Sequence, residues 1–425
     1  APPGASVTST RSTATQTNES SRKEMAVKYV WVVKCLSCNR AAPPGVRLDA
    51  SISLHRFAKL EPRLVQEYMG QILKTIERLI DECNVSEVVG IDLLDKVCQQ
   101  LVRAFSETFT LFGGDTANIG GTQGCDEDLR AFLVAYSESI VVRAIGSRSS
   151  VVVGAAFQSL LNLKREVVLA IRSDRLEQLT SLLCTFLCSK KNSIALRSSA
   201  CKALGTILML VPIASMPKIA DMGMTSLSSL QQEASGTLQI SLAWSVASVC
   251  DSLRSQLTGS QNGPGALPLE VSSILSEHLR TLADLAVTLT KSNDKVKCNA
   301  VRCLGCLFDV LGLVADEVTF QDKEGFKRDA IECILNALEV GNTKVQWNSC
   351  YAVGSYFKLE RNQTFDSEIW FTILCRIAHL IEHSTNYKVQ THGVSAILYL
   401  ESKEQFGKCF CRILQIAFFV LQKRL

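Results

Sequence analysis

The 425-residue chain has little charge of one sign: 45 Lys and Arg against 41 Asp and Glu leave a formal net charge of +4. So even a balance weighs against a nucleic-acid function, which a basic excess would announce. It also lacks a long apolar run. Cys409 to Leu421 (CFCRILQIAFFVL) is apolar apart from Arg412 and Gln415, but it falls short of the roughly 20 residues that span a bilayer. We expect a packed helix there and no membrane as partner. Ala26 to Leu36 (AVKYVWVVKCL), after Arg22 and Lys23, imitates a secretion signal, but Lys28 and Lys34 interrupt it and no small-residue cleavage site follows. The glycosylation patterns at Asn18, Asn84 and Asn362 are therefore not expected to meet a transferase. The glycines of 113–124 (GGDTANIGGTQG) lack the Gly-Lys-Ser/Thr ending of a phosphate loop. Cys35-x-x-Cys38 lacks a second half at zinc-finger spacing. No cofactor and no small-molecule substrate is expected.

What is present is repetition. A helix-length motif recurs at Leu196–Gly205 (LRSSACKALG), Leu238–Ala247 (LQISLAWSVA), Val296–Gly305 (VKCNAVRCLG), Val345–Gly354 (VQWNSCYAVG) and Val389–Leu398 (VQTHGVSAIL). The starts lie 42, 58, 49 and 44 residues apart, close to the roughly 40 to 47 of HEAT or armadillo repeats. An apolar helix and a polar turn precede each late copy. Ile274, Leu275, Leu279, Leu282 and Leu285 mark one such helix, Phe326, Ile331, Ile334, Leu335 and Leu338 the next, and Ile369, Ile373, Leu374, Ile377 and Ile381 the third. The expected fold is all-α, an α-solenoid of stacked HEAT/armadillo-like antiparallel helix pairs. Val151–Leu160 is a looser earlier copy, and the helices before Gly113 show apolar periodicity without a clear repeat.

The expected organisation follows from composition. Residues 1–24, rich in Ser and Thr, read as disordered, and 25–48 as an uncertain segment. Helices occupy 49–112, a Gly-rich loop 113–125, helical repeats 126–254, an inserted loop 255–269, C-terminal HEAT repeats 270–407, and an apolar tail 408–425. A chain that starts at Ala1 is expected to be processed or a fragment. Seventeen Cys, an odd number, many inside apolar helical patterns, fit reduced thiols and a cytoplasmic or nuclear location.

Aligning the five copies assigns a task to each column. Positions one and nine are always aliphatic and face the partner helix. Position eight is always small (Ala203, Ser245, Cys303, Ala352, Ala396), and Gly205, Gly305 and Gly354 at position ten predict close packing between repeats. Positions three and seven lie away from that core. Position seven runs Lys202, Trp244, Arg302, Tyr351, Ser395, and Trp347 stands at position three of its copy. These side chains are expected to form an aromatic and basic strip on a concave surface, of the residue types that dominate binding energy. Gln346 and Gln390 are expected beside it as polar neighbours. The alternative is that Trp244 and Trp347 fill the grooves between repeats.

Asp294, Val296, Lys297, Ala300, Leu304 and Gly305 look like the second half of a HEAT repeat. NDKVKCNAVRCLG (293–305), TKVQWNSCYAVGSYFK (343–358) and NYKVQ with KEQFG (386–390 and 403–407) resemble the C-terminal part of the HEAT repeat-containing protein 6 family. That resemblance covers about 290–407 strongly and reaches more weakly to about 190. It implies an α-solenoid scaffold or adaptor without recognised catalytic residues. Residues 25–45 and the tail after Gly407 depart from it.

One enzymatic pattern competes. His379-Leu380-Ile381-Glu382-His383 matches the H-x-x-E-H order of inverted zinc peptidases. Both His share a face with Thr372, Cys375 and Arg376, the polar side of an amphipathic first helix, and only Glu401 and Glu404 remain downstream as carboxylate ligands. The expectation is therefore a non-enzymatic scaffold that binds other proteins, with a nucleic-acid-associated repeat protein and a zinc peptidase as alternatives.

Overall fold

The computed structural model describes residues 10–84, 91–111, 123–233, 235–258, 269–314, 318–360 and 368–424. Every regular element among the described residues is helical, and the chain forms two compact units, residues 1–172 and 173–425.

The first unit holds α1 (Thr10–Cys38), α2 (Pro44–Leu60), α3 (Arg63–Gln66), α4 (Met69–Asn84), α5 (Ile91–Glu107), α6 (Gln123–Ala135), α7 (Val141–Ile145), α8 (Ser150–Leu160) and α9 (Arg165–Ala170). Three helix pairs emerge: α1 with α2, α4 with α5, and α7 with α8, the second members packing side by side in the order α2, α5, α8. The repeat hidden in the sequence before Gly113 is thus present in the fold. Residues 10–24, expected to be disordered, are instead helical as the start of α1. Extending an existing helix fixes one residue per hydrogen bond gained, so a polar stretch can continue a turn that Val30 and Val33 have already anchored in the core.

The second unit holds α10 (Ser173–Cys188), α11 (Ile194–Leu210), α12 (Pro217–Ser228), α13 (Gly236–Thr258), α14 (Leu269–Thr290), α15 (Asp294–Leu313), α16 (Lys323–Val340), α17 (Thr343–Glu360), α18 (Glu368–His383), α19 (Tyr387–Ile397), α20 (Lys403–Phe406) and α21 (Phe410–Arg424). The five motif copies are the second helices α11, α13, α15, α17 and α19. They form one layer; the first helices α10, α12, α14, α16 and α18 form the other. This is the α-solenoid expected. Neighbouring second helices pack more extensively than neighbouring first helices. Beyond the last pair, α21 packs on α18, and its Ile413 and Ile416 are buried. The 113–125 loop falls almost wholly outside the described residues. So does most of 255–269, although α13 stays helical through Thr258.

Short polar side chains set where four of the five second helices of this unit begin. Asn293 Oδ1 accepts from the Lys295 and Val296 amides at 3.0 and 3.3 Å, and Asn342 Oδ1 from those of Lys344 and Val345 at 2.9 and 3.1 Å. Asn386 repeats the cap with Lys388 N at 2.9 Å, and Ser193 with Leu196 N at 3.3 Å. Each satisfies amides that the first turn leaves without a carbonyl.

Candidate interaction face

The position-ten glycines fix the spacing of the second-helix layer. A methyl group on Gly205 would meet Ser245 Cβ at 2.5 Å and its Cα at 2.8 Å; one on Gly305 would meet Tyr351 Cε1 at 2.7 Å and Ala352 Cα at 2.9 Å; one on Gly354 would meet Ala396 Cα at 3.2 Å. Position ten of one repeat therefore rests against position eight of the next, where Ser245, Ala352 and Ala396 stand. Backbones approach this closely only because both columns are small.

Position two has a different task from the one expected of it. Gln346 Nε2 donates to Leu338 O at 3.4 Å and Gln390 Nε2 to Ile381 O at 3.1 Å, both on the last turns of the preceding first helix. Arg197 Nε reaches Leu187 O at 2.8 Å in the same way, and Arg47 Nε reaches Ser37 O at 3.3 Å in the first unit. Gln239 Nε2 donates to Glu233 O at 2.7 Å in the turn before its helix. The last carbonyls of a helix have no amide four residues on, so these side chains clasp each helix pair. Gln346 and Gln390 belong to that clasp, turned away from the position-seven strip.

Tyr351 is also engaged within the fold. Its hydroxyl accepts from Arg254 Nη1 at 3.1 Å and donates to Asp309 Oδ2 at 3.1 Å, with Ser355 Oγ donating to the same oxygen at 3.2 Å. Arg254 Nη2 in turn holds Asp251 at 2.6 Å, and Lys358 lies 3.6 Å from Asp309 Oδ1. Three consecutive second helices, α13, α15 and α17, are joined here. Burial pushes the Tyr351 phenol well above its ordinary value, and the neighbouring Cys306 and Asp309 add to the rise. It stays neutral and serves as a donor. The ring lies against Gly305, so Tyr351 fills the groove between repeats, the role that had been the alternative for the tryptophans.

The remaining members of the strip keep surface to offer. Lys202, Trp244, Arg302 and Trp347 are all half-buried. Trp347 Nε1 donates to Asn348 Oδ1 at 3.0 Å, and Asn348 Nδ2 donates across to Cys298 O at 2.8 Å, which steadies the indole. Lys388 Nζ, one repeat on, stands 4.9 Å from the centre of the Trp347 ring, a cation–π contact. Arg302 Nε is buried without a hydrogen-bond partner. Ser395 is exposed at the end of the column. Asn299, at the position in α15 that Asn348 holds in α17, is half-buried on the helix between those of Trp244 and Trp347.

The zinc-peptidase pattern does not assemble. His379 and His383 lie with ring centres 4.5 Å apart and planes tilted by 50° on the exposed side of α18. Glu382 Oε2 sits 3.5 Å from His383 Nε2 and 3.6 Å from Arg412 Nη2, a surface ion-pair arrangement. Among the described residues, three potential ligand atoms gather within 4.8 Å of one another only at Asp221, Glu277 and His278, where His278 Nε2 is already hydrogen-bonded to Asp221 at 2.8 Å. No helix among the described residues is long and apolar enough to cross a membrane.

No family model matches the chain. Among solved structures it is similar to importin beta, with 13% identity and a TM-score of 0.60 over 89% of this chain and 44% of that one. A computationally designed armadillo repeat protein for modular peptide recognition aligns at 14% identity over 61% of this chain and 98% of its own, with a TM-score of 0.41. The chain thus spans less than half the length of importin beta. At these identities the likeness is one of fold.

Proposed function

We propose that the chain is a non-enzymatic scaffold that binds other proteins on the second-helix face of residues 173–397, in the cytoplasm or nucleus. The observation that carries this is the strip of Lys202, Trp244, Arg302 and Trp347. Its two indoles and two cations are residue types that concentrate binding energy, and they stand on four successive second helices, with Gly205 and Gly305 holding two of the three steps between those helices to close spacing. A rigid layer spends little conformational entropy on binding. The motifs at 293–305 and 343–358 support placing the chain with the HEAT repeat-containing protein 6 family.

The test is affinity capture from cytosolic and nuclear extracts with the full chain, wild type against Trp244→Ala/Trp347→Ala. Both indoles are only half-buried, so the variant is expected to keep its helix content. It should lose its partners, since hot-spot truncation costs about 2 kcal/mol or more. Equal recovery by both proteins would place the binding surface elsewhere.

A further inference from the structure

The even charge of the whole chain conceals a division between layers. The five first helices of the second unit carry seven Lys or Arg against twelve Asp or Glu. The five second helices carry nine against four. One layer is net negative and the other net positive.

Pairing sharpens the difference. All four carboxylates of the second-helix layer are engaged: Asp251 and Asp309 by Arg254, Glu360 by Lys327 at 2.7 Å, and Asp294 by the Asn342 amide at 3.2 Å. Of the nine cations, Arg197, Arg254 and Lys358 have carboxylate partners. Lys202, Lys295, Lys297, Arg302, Lys344 and Lys388 have none among the described residues. Arg302 adds a second observation, because its Nε is buried without any acceptor, a position that favours an incoming anionic oxygen.

We infer, resting on the interaction-face reading above, that this layer takes an extended protein segment whose acidic side chains recur along it and meet Lys202, Arg302, Lys344 and Lys388, with apolar side chains between them against Trp244 and Trp347. Packed helices lie roughly 8–10 Å apart and an extended chain advances about 3.3 Å per residue. Successive repeats are therefore met by residues about three apart, and the five helices span a segment of about 12 residues. A spaced pattern fits better than a uniform polyanion. At α13 the layer offers Trp244 and an Asp251 already paired with Arg254, with no free cation, whereas a phosphate backbone carries charge at every unit.

The experiment is fluorescence anisotropy on the full chain with three labelled probes: a 13-residue peptide with Glu at the first, seventh, tenth and thirteenth residues, Leu at the fourth and Leu and Gly elsewhere, the same peptide with Lys for Glu, and a 12-nucleotide single-stranded oligothymidylate. The Glu peptide should bind, more weakly as salt rises, and the Lys peptide should not. Lys344→Glu/Lys388→Glu, at two exposed positions, should weaken the Glu peptide at least tenfold. Arg302→Gln, which keeps the charge count of the other sites, should weaken it several-fold. Lys218→Glu, exposed on the first-helix layer, should leave it unchanged. Binding of no probe, equal binding of the Lys peptide, tighter binding of the oligonucleotide, or indifference to the charge reversal would each overturn the inference. A protein partner lost by Trp244→Ala/Trp347→Ala but held by Lys344→Glu/Lys388→Glu would overturn it while leaving the scaffold reading intact.

Discussion

Replacing two glycines of the same helix, one at a time, separates backbone propensity from packing between repeats. Gly305 and Gly312 both lie within α15, and alanine is favoured over glycine in a helix by up to about 1 kcal/mol. On propensity alone both substitutions stabilise the protein, Gly305→Ala the more because it is interior. The structure predicts opposite signs. A methyl group at Gly312 would touch Leu359 Cδ1 at 3.5 Å, an ordinary contact, so Gly312→Ala, in the last turn of α15, should gain about half of that ~1 kcal/mol or less. At Gly305 it would meet Ala352 Cα at 2.9 Å. Restoring a normal separation requires α17 to move by several tenths of an ångström, and a backbone atom cannot turn aside as a side chain can. The second clash, 2.7 Å to Tyr351 Cε1, falls on a ring tethered through its hydroxyl to Asp309 and Arg254. Overpacking costs about 1–3 kcal/mol, and with both neighbours fixed we take the upper half of that range. After the propensity gain, Gly305→Ala should be less stable than wild type by about 1–2 kcal/mol. Urea titration followed by circular dichroism at 222 nm reads both midpoints. A Gly305→Ala midpoint as high as that of Gly312→Ala would refute the account of how the repeats are spaced.

Two further substitutions probe the polar joints. Tyr351→Phe removes a hydroxyl that bridges Arg254 and Asp309, and hydrogen bonds to charged groups contribute about 1.5–3 kcal/mol; a loss of about 2 kcal/mol with helix content retained is expected in the same urea assay. Lys327 and Glu360, each 7% exposed, pair at 2.7 Å between α16 and α17. Lys327→Met strands the carboxylate and should cost about 3 kcal/mol, whereas Lys327→Met/Glu360→Leu should come close to wild type. Burial alone would pull the Lys327 ammonium down, but its bonds to Glu324 and Glu360 outweigh that and hold its pKa above the ordinary 10.5. A raised pKa means the contribution is complete below 10.5 and is lost as pH rises through the higher folded value. Wild-type stability should therefore fall above about pH 10.5, and the double variant should lack that fall.

The second-helix columns were legible in the sequence because their constraint is local. A small residue at position eight and a glycine at position ten leave one spacing for neighbouring helices, and the contacts of Gly205, Gly305 and Gly354 realise it. Other features depend on partners far away in the chain. Tyr351 reads as a surface aromatic until Asp309, 42 residues earlier, is placed beside it. Gln346 and Gln390 read as surface amides because the carbonyls they reach, on Leu338 and Ile381, become acceptors only where a helix ends. The helix pairs before Gly113 escaped notice for a related reason. Arg47 performs in α2 the clasp that Arg197 performs in α11, but α2 lacks the position-ten glycine that makes the later copies recognisable. Charge division was hidden as well, since Lys and Glu alternate along the chain and separate only when successive helices are assigned to opposite layers.

Hydroxyl-radical footprinting of the full chain, free and bound to whatever partner it captures, tests the central claim most directly. Trp244 and Trp347 report on the second-helix face, while Phe371, 45% exposed on α18, reports on the first-helix layer. A partner seated on the proposed face should protect both tryptophans from oxidation and leave the Phe371 rate unchanged. Protection of Phe371 with both tryptophans still oxidised at the free rate would contradict it and move the working surface to the other layer.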